Sequence, residues 1–177
     1  KQLHMSAWAS LYSIALVNNS NWKFVSEREI IAEDVYSLLI LYKSVECVAV
    51  LHESLYFYCD NGASLTHTFR KDRYKKIEKF YNLTTKKARQ LGYSEDIVER
   101  IQKPYCSFTI AALKMIAKAD CSYTEKRQCI NEIIDSEVFK NFIEKIDLKE
   151  EPLSRKILWF VMKHKLSDIC YLLSRLK

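Results

Sequence analysis

The sequence predicts a mainly α-helical protein with one small β-hairpin, an α+β fold class. Only two glycines and two prolines occur among the 177 residues, so the chain has few of the residues that interrupt helices. From residue 70 onwards, apolar residues recur at steps of three and four, which is the spacing of one helix face. Before that point, two short runs rich in valine and aromatic residues indicate strands. Hydrophobic residues make up 49% of the chain, which is enough for a buried core and excludes disorder as the main state.

The first third of the chain is predicted to contain one helix and the hairpin. A short amphipathic helix is predicted over 32–43, because the apolar residues of AEDVYSLLILYK lie at helical spacing. The runs at 46–52 (ECVAVLH) and 55–59 (LYFYC) are separated by a short connection, a pattern that predicts two paired strands. A turn signal, Asp-Asn-Gly, follows at 60–62.

The remaining residues are predicted to form a series of helices. By residue number they are 70–91, 94–119, 122–134, 138–146, 153–163 and 166–176. Gly92 is the expected C-terminal cap of the first, and Pro104 is expected to kink or divide the second. Ser122 and Glu125 have the spacing of a capping box. Pro152 fits the first turn of the final helical hairpin.

Positive charge is concentrated after residue 59. The chain has a net charge of +6, but residues 1–59 carry four basic and six acidic residues, whereas the rest carries 24 basic and 16 acidic residues. Such a surface suits nucleic acid, an anionic membrane or a phosphorylated ligand, although most charged runs are simply solvated faces. The scarcity of glycine excludes phosphate-cradling loops and dinucleotide-binding fingerprints.

Cysteine spacing and the start of the chain bear on its location and completeness. Six cysteines are spaced too irregularly for a paired-cysteine zinc site or redox motif, and a chain of this size needs no disulfides, so we expect a reducing cytoplasm. The longest apolar run, 157–162, is too short for a membrane span. Because the chain begins Lys-Gln-Leu-His rather than with Met, we expect a fragment whose natural start lies upstream.

The adjacent carboxylates Glu33 and Asp34 are the first candidate for chemistry. They lie at the start of a predicted helix, where negative charge is favoured by the helix dipole for purely structural reasons. A carboxylate held at a helix start can also act as a general base that removes a proton from an attacking hydroxyl. Composition alone leaves both interpretations open.

Two further segments are candidates for binding. His67, in the loop GASLTH at 62–67, is either an ordinary surface residue or a group that hydrogen-bonds a phosphate or ligates a metal. In the segment 153–177, Trp159 and Phe160 lie among lysines, as in a helix that rests on anionic lipid. The structural alternative for that segment is a terminal hairpin that packs on the helical bundle.

Taken in order, several landmarks resemble the second half of bacterial family 2 glycosyltransferases. They are the strings SAWASLY at 6–12, EREIIAEDVY at 27–36, VAVLHESLYFYC at 48–59 and SLTH at 64–67, together with Phe24. The resemblance covers residues 6 to about 70, and the later helices are similar to the variable C-terminal extension of these enzymes. One departure is Ser10, at a position where the family usually carries a basic residue.

The resemblance implies a GT-A-type, inverting sugar transfer from a nucleotide-diphosphate donor. Asp34 matches the catalytic base, and Glu33 matches its acidic neighbour. Trp8 matches a residue that lines the site, while Ser64 and His67 fall in the loop near the donor pyrophosphate. Residues 1–69 then form the acceptor-side, C-terminal part of the catalytic domain, and 70–177 a helical extension.

The resemblance also implies partners that this chain does not supply by itself. The Asp-x-Asp motif, which binds Mg²⁺ or Mn²⁺ in the nucleotide-binding half, has no counterpart in these residues, so the fragment alone is expected to be inactive. The expected acceptor is a glycan or lipid-linked glycan of cell-surface polysaccharide synthesis, reached by peripheral contact of 153–177 with the inner membrane. The alternative function is a non-enzymatic, basic helical module that binds nucleic acid or an acidic partner.

Overall fold

The structure is a computed structural model that describes residues 6–57, 59, 69–149 and 151–176. Of these residues, 64% are helical and none is in a strand, which confirms the mainly α-helical class. The α-helices among them are α1 (Ile14–Ser20), α2 (Glu33–Leu41), α3 (Arg73–Gln90), α4 (Glu95–Arg100), α5 (Gln102–Lys118), α6 (Tyr123–Asp135), α7 (Glu137–Lys145), α8 (Leu153–Lys163) and α9 (Ser167–Arg175). A short 3₁₀ turn, Tyr42–Ser44, continues α2.

The described residues group into two compact units. The first contains 6–57, 59 and 79–101, and the second contains 69–78, 102–149 and 151–176. In the first unit the buried apolar side chains come from the loop before α2, from α2, from the later part of α3 and from α4: Ile30, Leu38, Leu39, Leu41, Phe80, Ala88 and Val98. The second unit buries its large side chains between α5, α6, α7 and α8: Tyr105, Leu113, Ile130, Ile133, Phe139, Phe142, Trp159 and Met162.

Local sequence signals correctly predicted where several helices begin. Ser122 accepts a hydrogen bond from the Glu125 backbone N–H, and the Glu125 carboxylate accepts one from the Ser122 N–H, which confirms the capping box at the start of α6. Pro152 is the N-cap residue of α8. The predicted helix around Pro104 is divided at Ile101, and the proline lies in the first turn of α5, where its missing N–H costs no helical hydrogen bond.

The predicted hairpin is wrong for the part of it that the structure describes. Neither 46–52 nor the described residues of 55–59 form a strand. Most of the apolar side chains in these runs are exposed; among them are Val48, Val50, Leu51, Leu55 and Phe57. A two-stranded hairpin is marginal in water unless it packs on another element, and these side chains lack such a surface within the described residues. Residues with a high strand propensity do not form strands here, because their side chains are not buried against another element.

Trp159 is also not the interfacial residue that its lysine-rich surroundings suggested. Its side chain is fully buried, with its ring centroid 5.6 Å from that of Phe142 and 6.2 Å from that of Phe139. Residues one and two positions from a buried helical residue point in other directions, and the neighbouring Phe160 is 59% exposed. Among the described helices, none is both long and apolar enough to cross a membrane.

Candidate functional site

The carboxylates Glu33 and Asp34 lie in the first turn of α2, as the sequence predicted. The preceding residue, Ala32, is the N-cap, but an alanine has no side chain that accepts a hydrogen bond from the helix. Its carbonyl oxygen instead accepts the N–H groups of Val35 and Tyr36 at 3.0 and 3.3 Å. The two carboxylates therefore supply the negative charge that favours a helix start.

A backbone hydrogen bond joins the segment around Trp8 to Asp34. The N–H of Ala7 donates to Oδ2 of Asp34 at 3.0 Å, across 27 residues of sequence. The Tyr12 hydroxyl donates to the carbonyl oxygen of Ala7 at 3.4 Å, which closes the same segment on itself. A carboxylate has capacity for several hydrogen bonds, so this one leaves Asp34 able to accept a proton from a further hydroxyl.

Trp8 presents an aromatic surface next to this contact. Its ring stacks on that of Tyr56, with centroids 5.4 Å apart and planes inclined by 29°. Trp8 is 43% exposed and Tyr56 is 51% exposed, so the pair keeps ring surface open to solvent. Aromatic rings that are half-exposed provide large, rigid contact area for a ligand with an apolar face.

Contacts from two sides hold α2 in place. The indole Nε1–H of Trp22 donates to the carbonyl oxygen of Ser37 at 2.6 Å, and the buried Ser37 hydroxyl accepts the N–H of Val25 at 3.1 Å. The Tyr93 hydroxyl donates to the carbonyl oxygen of Leu39 at 2.8 Å. Because side chains and backbone both anchor α2, the carboxylates at its start have a defined position.

Backbone strain lies beside both parts of the site. Ala9, directly after Trp8, has φ of 57°, and Ala32, directly before Glu33, has φ of 55°. Side chains with a Cβ rarely adopt this left-handed conformation, which costs about 1–2 kcal/mol per residue. Strained residues of this kind are concentrated at functional sites, because the surrounding structure must hold them.

The Glu33 carboxyl has a perturbed pKa. Burial raises its pKa above the ordinary 4.5, and the negative charges of Asp34 and Glu27 act in the same direction, while a hydrogen bond from the backbone N–H of Glu33 opposes them. At pH values between 4.5 and the raised pKa, the folded protein therefore holds a proton on Glu33 that the unfolded chain releases. The resulting contribution to stability is present below the unfolded-state pKa of 4.5 and is lost as pH rises through the raised value.

Glu33→Gln is accordingly expected to become more stable than the unmodified protein as pH rises. At low pH the two proteins should differ little, because the protonated carboxyl and the amide are both neutral. Urea unfolding at a series of pH values checks this, with Glu53→Gln at an exposed carboxylate as the control. A difference in unfolding free energy between Glu33→Gln and the unmodified protein that stays constant from below pH 4.5 to neutral pH would contradict the raised pKa of Glu33.

The described residues contain no group of three or more His, Cys, Asp or Glu side chains placed to hold a metal ion. Glu33 and Asp34 alone do not make such a site. Ser64 and His67, which the sequence placed near a donor pyrophosphate, lie outside the described residues.

No family model, curated protein or solved structure matches the chain. The site is defined by its geometry, which brings together three of the five predicted residues, Glu33, Asp34 and Trp8. Sequence reasoning missed Tyr56 as the stacking partner of Trp8. Its signal is the aromatic run at 55–59, whose pattern predicts a strand instead.

Proposed function

We propose that this chain is the C-terminal, acceptor-side part of an inverting glycosyltransferase. The enzyme transfers a sugar from a nucleotide-diphosphate donor to a glycan or lipid-linked acceptor. The order of sequence landmarks suggested this function, and the contacts within the first unit support it.

One observation carries the proposal, the hydrogen bond from the Ala7 N–H to Asp34. This bond places the segment that bears Trp8 at the start of α2, where the candidate base lies. A carboxylate for proton removal and an exposed aromatic pair then lie in one part of one unit. A helix-dipole role alone accounts for the carboxylates but not for the exposed Trp8–Tyr56 pair.

The arrangement fits a single displacement at the anomeric carbon. The acceptor hydroxyl forms a bond to that carbon as the bond to the nucleoside diphosphate breaks, and the diphosphate leaves with the electron pair. Asp34 takes the hydroxyl proton, which a sugar alcohol does not release readily without a base. Attack on the face opposite the leaving group inverts the configuration at that carbon.

The test uses the natural polypeptide that contains this chain. It is incubated with UDP-, GDP- and dTDP-linked hexoses, each with and without a lipid-linked glycan fraction from the same cells, and released nucleoside diphosphate is measured. We expect release from one donor that depends on the acceptor. No release from any donor, combined with tight binding to RNA or DNA that falls steeply with salt, would contradict the proposal and favour the basic binding module.

The aromatic pair gives a separate prediction about the acceptor. Trp8→Ala should raise the acceptor KM roughly five- to tenfold while changing kcat less, because it removes about 1 kcal/mol of stacking that substrate and transition state share. Steady-state kinetics with varied acceptor measure this effect. Phe57→Ala, which removes a more exposed aromatic ring that has no part in the Trp8–Tyr56 stack, is the control and should leave the KM unchanged. Equal effects of the two variants would rule out an acceptor role for Trp8.

A further inference from the structure

The last two helices of the second unit each carry an exposed row of apolar side chains in addition to the side that packs within that unit, and the two rows together are termed the apolar face. The residues of this apolar face are Leu153, Ile157 and Phe160 in α8 and Ile169, Leu172 and Leu176 at α9. They recur at steps of three and four, so in each helix they lie along one side. Each of them is at least 44% exposed. A soluble surface does not require such a regular row of large apolar side chains.

The opposite sides of the same helices are already used for packing. In α8 the buried residues include Trp159 and Met162, which face the core of the second unit. In α9 the buried residues are small, Ser167, Cys170 and Ser174. The exposed apolar residues are therefore not the residues that form the core, because each helix has a separate set of buried residues.

Positive charge borders the apolar face. Lys156 and Lys163 lie four residues before and three residues after Phe160, so both are its neighbours on the surface of α8. Arg175 lies three residues after Leu172 on α9. Residues 153–177 contain six basic residues and one acidic residue.

The single acid, Asp168, is already engaged. It accepts one hydrogen bond from the Tyr123 hydroxyl, at 2.5 Å, and its Oδ1 lies 3.0 Å from Nε of Arg127. Its charge is thus largely offset within the second unit. Arg155 and Lys165 are likewise paired, with Glu151 and Asp135. The positive charge at the border of the apolar face is therefore that of Lys156, Lys163 and Arg175.

We propose that the apolar face docks on the surface of an anionic lipid bilayer. Large apolar side chains that lie between lysines and arginines are the pattern of a helix that rests in the headgroup region, with its cations next to lipid phosphates. Helices of 11 and 9 residues suit this position along the surface.

Charge argues against a second copy of the chain as the occupant. A two-fold pair would place the same patch of both copies together, so its basic borders would face each other. Like charges brought together at an interface oppose association. A negatively charged lipid surface has the complementary sign. This inference does not depend on sugar transfer and can fail or hold independently of it.

The experiment is co-sedimentation of the full chain with lipid vesicles. One set of vesicles is phosphatidylcholine alone, and the other is phosphatidylcholine mixed with phosphatidylglycerol. We expect binding to the mixed vesicles that weakens as salt is raised, and little binding to phosphatidylcholine. Phe160→Gln should lower the partition coefficient about tenfold, because it removes a buried apolar side chain from the lipid. Lys163→Gln should lower it about fivefold.

Phe57→Gln is the matched control, since it replaces an exposed phenylalanine of the first unit. Circular dichroism shows whether each variant keeps its helices. Equal binding of the unmodified chain to both vesicles, binding to neither, or equal losses in the two phenylalanine variants would overturn the proposal. A dimer in sedimentation velocity that Phe160→Gln dissociates, without vesicle binding, would instead assign the face to contact between copies.

Discussion

Asparagine in place of Asp34 is expected to slow sugar transfer by roughly 10²- to 10⁴-fold, the usual contribution of a general base. The amide has the same size as the carboxylate, and its oxygen can still accept the Ala7 N–H, so the local structure should be kept. The amide does not take up the acceptor proton. The loss should therefore appear in kcat, while the donor KM changes little. Measuring product formation in the natural polypeptide, with donor and acceptor varied in turn, separates these effects.

Asp120→Asn provides the matched control, because it makes the same change at an exposed carboxylate in the second unit. Its transfer rate should equal that of the unmodified enzyme. Transfer by Asp34→Asn at a similar rate would remove Asp34 from the mechanism and leave the helix-dipole role as its explanation.

Alanine in place of Trp159 should lower the free energy of unfolding by about 3–5 kcal/mol. The indole is fully buried against Phe139 and Phe142, so its removal leaves a large cavity between α7 and α8. For a chain of this size, such a loss corresponds to a fall in Tm of roughly 10 °C. Thermal and urea unfolding followed by circular dichroism measure it.

Two variants test whether burial is the cause. Trp159→Phe should lower the free energy of unfolding much less than Trp159→Ala, because a phenyl ring still fills most of the space. The buried indole N–H has no acceptor within the described residues, so its removal breaks no hydrogen bond. Trp8→Ala removes the same side chain from a partly exposed position and should have a small effect on stability. A loss in Trp8→Ala as large as that in Trp159→Ala would contradict the cavity explanation.

Helix ends were predictable where the signal is local. The capping box of Ser122 and Glu125 depends on residues three positions apart. The start of α8 depends on Pro152 alone, since the proline ring fixes the backbone at that residue. The adjacent acids Glu33 and Asp34 likewise marked the start of α2. In each case the interacting groups are neighbours in sequence, so their geometry follows from helix spacing alone.

Features that depend on distant partners were not predictable in the same way. The hairpin was inferred from β propensity, which expresses how a side chain fits a half-buried sheet and fails where Val50 and Phe57 stay exposed. For Trp159 the sequence left a lipid surface and a packed hairpin open, because its direction from the helix is set by the packing of α7 and α8. The bond from Ala7 to Asp34 joins residues 27 positions apart, and only the folded chain reveals it.

The scarcity of glycine has a consequence for the turns as well as for the helices. Within the described ranges, Ala9, Asn21, Ala32 and Lys165 adopt a positive φ without being glycine. Glycine at position 32 would relieve the strain, but it would also give the unfolded chain more conformations to lose, which costs about 0.4–1 kcal/mol. The strain, at about 1–2 kcal/mol, is the larger of the two terms. Alanine thus gives the residue before Glu33 fewer accessible backbone conformations, so the turn that presents the carboxylates is a stiff element rather than a hinge.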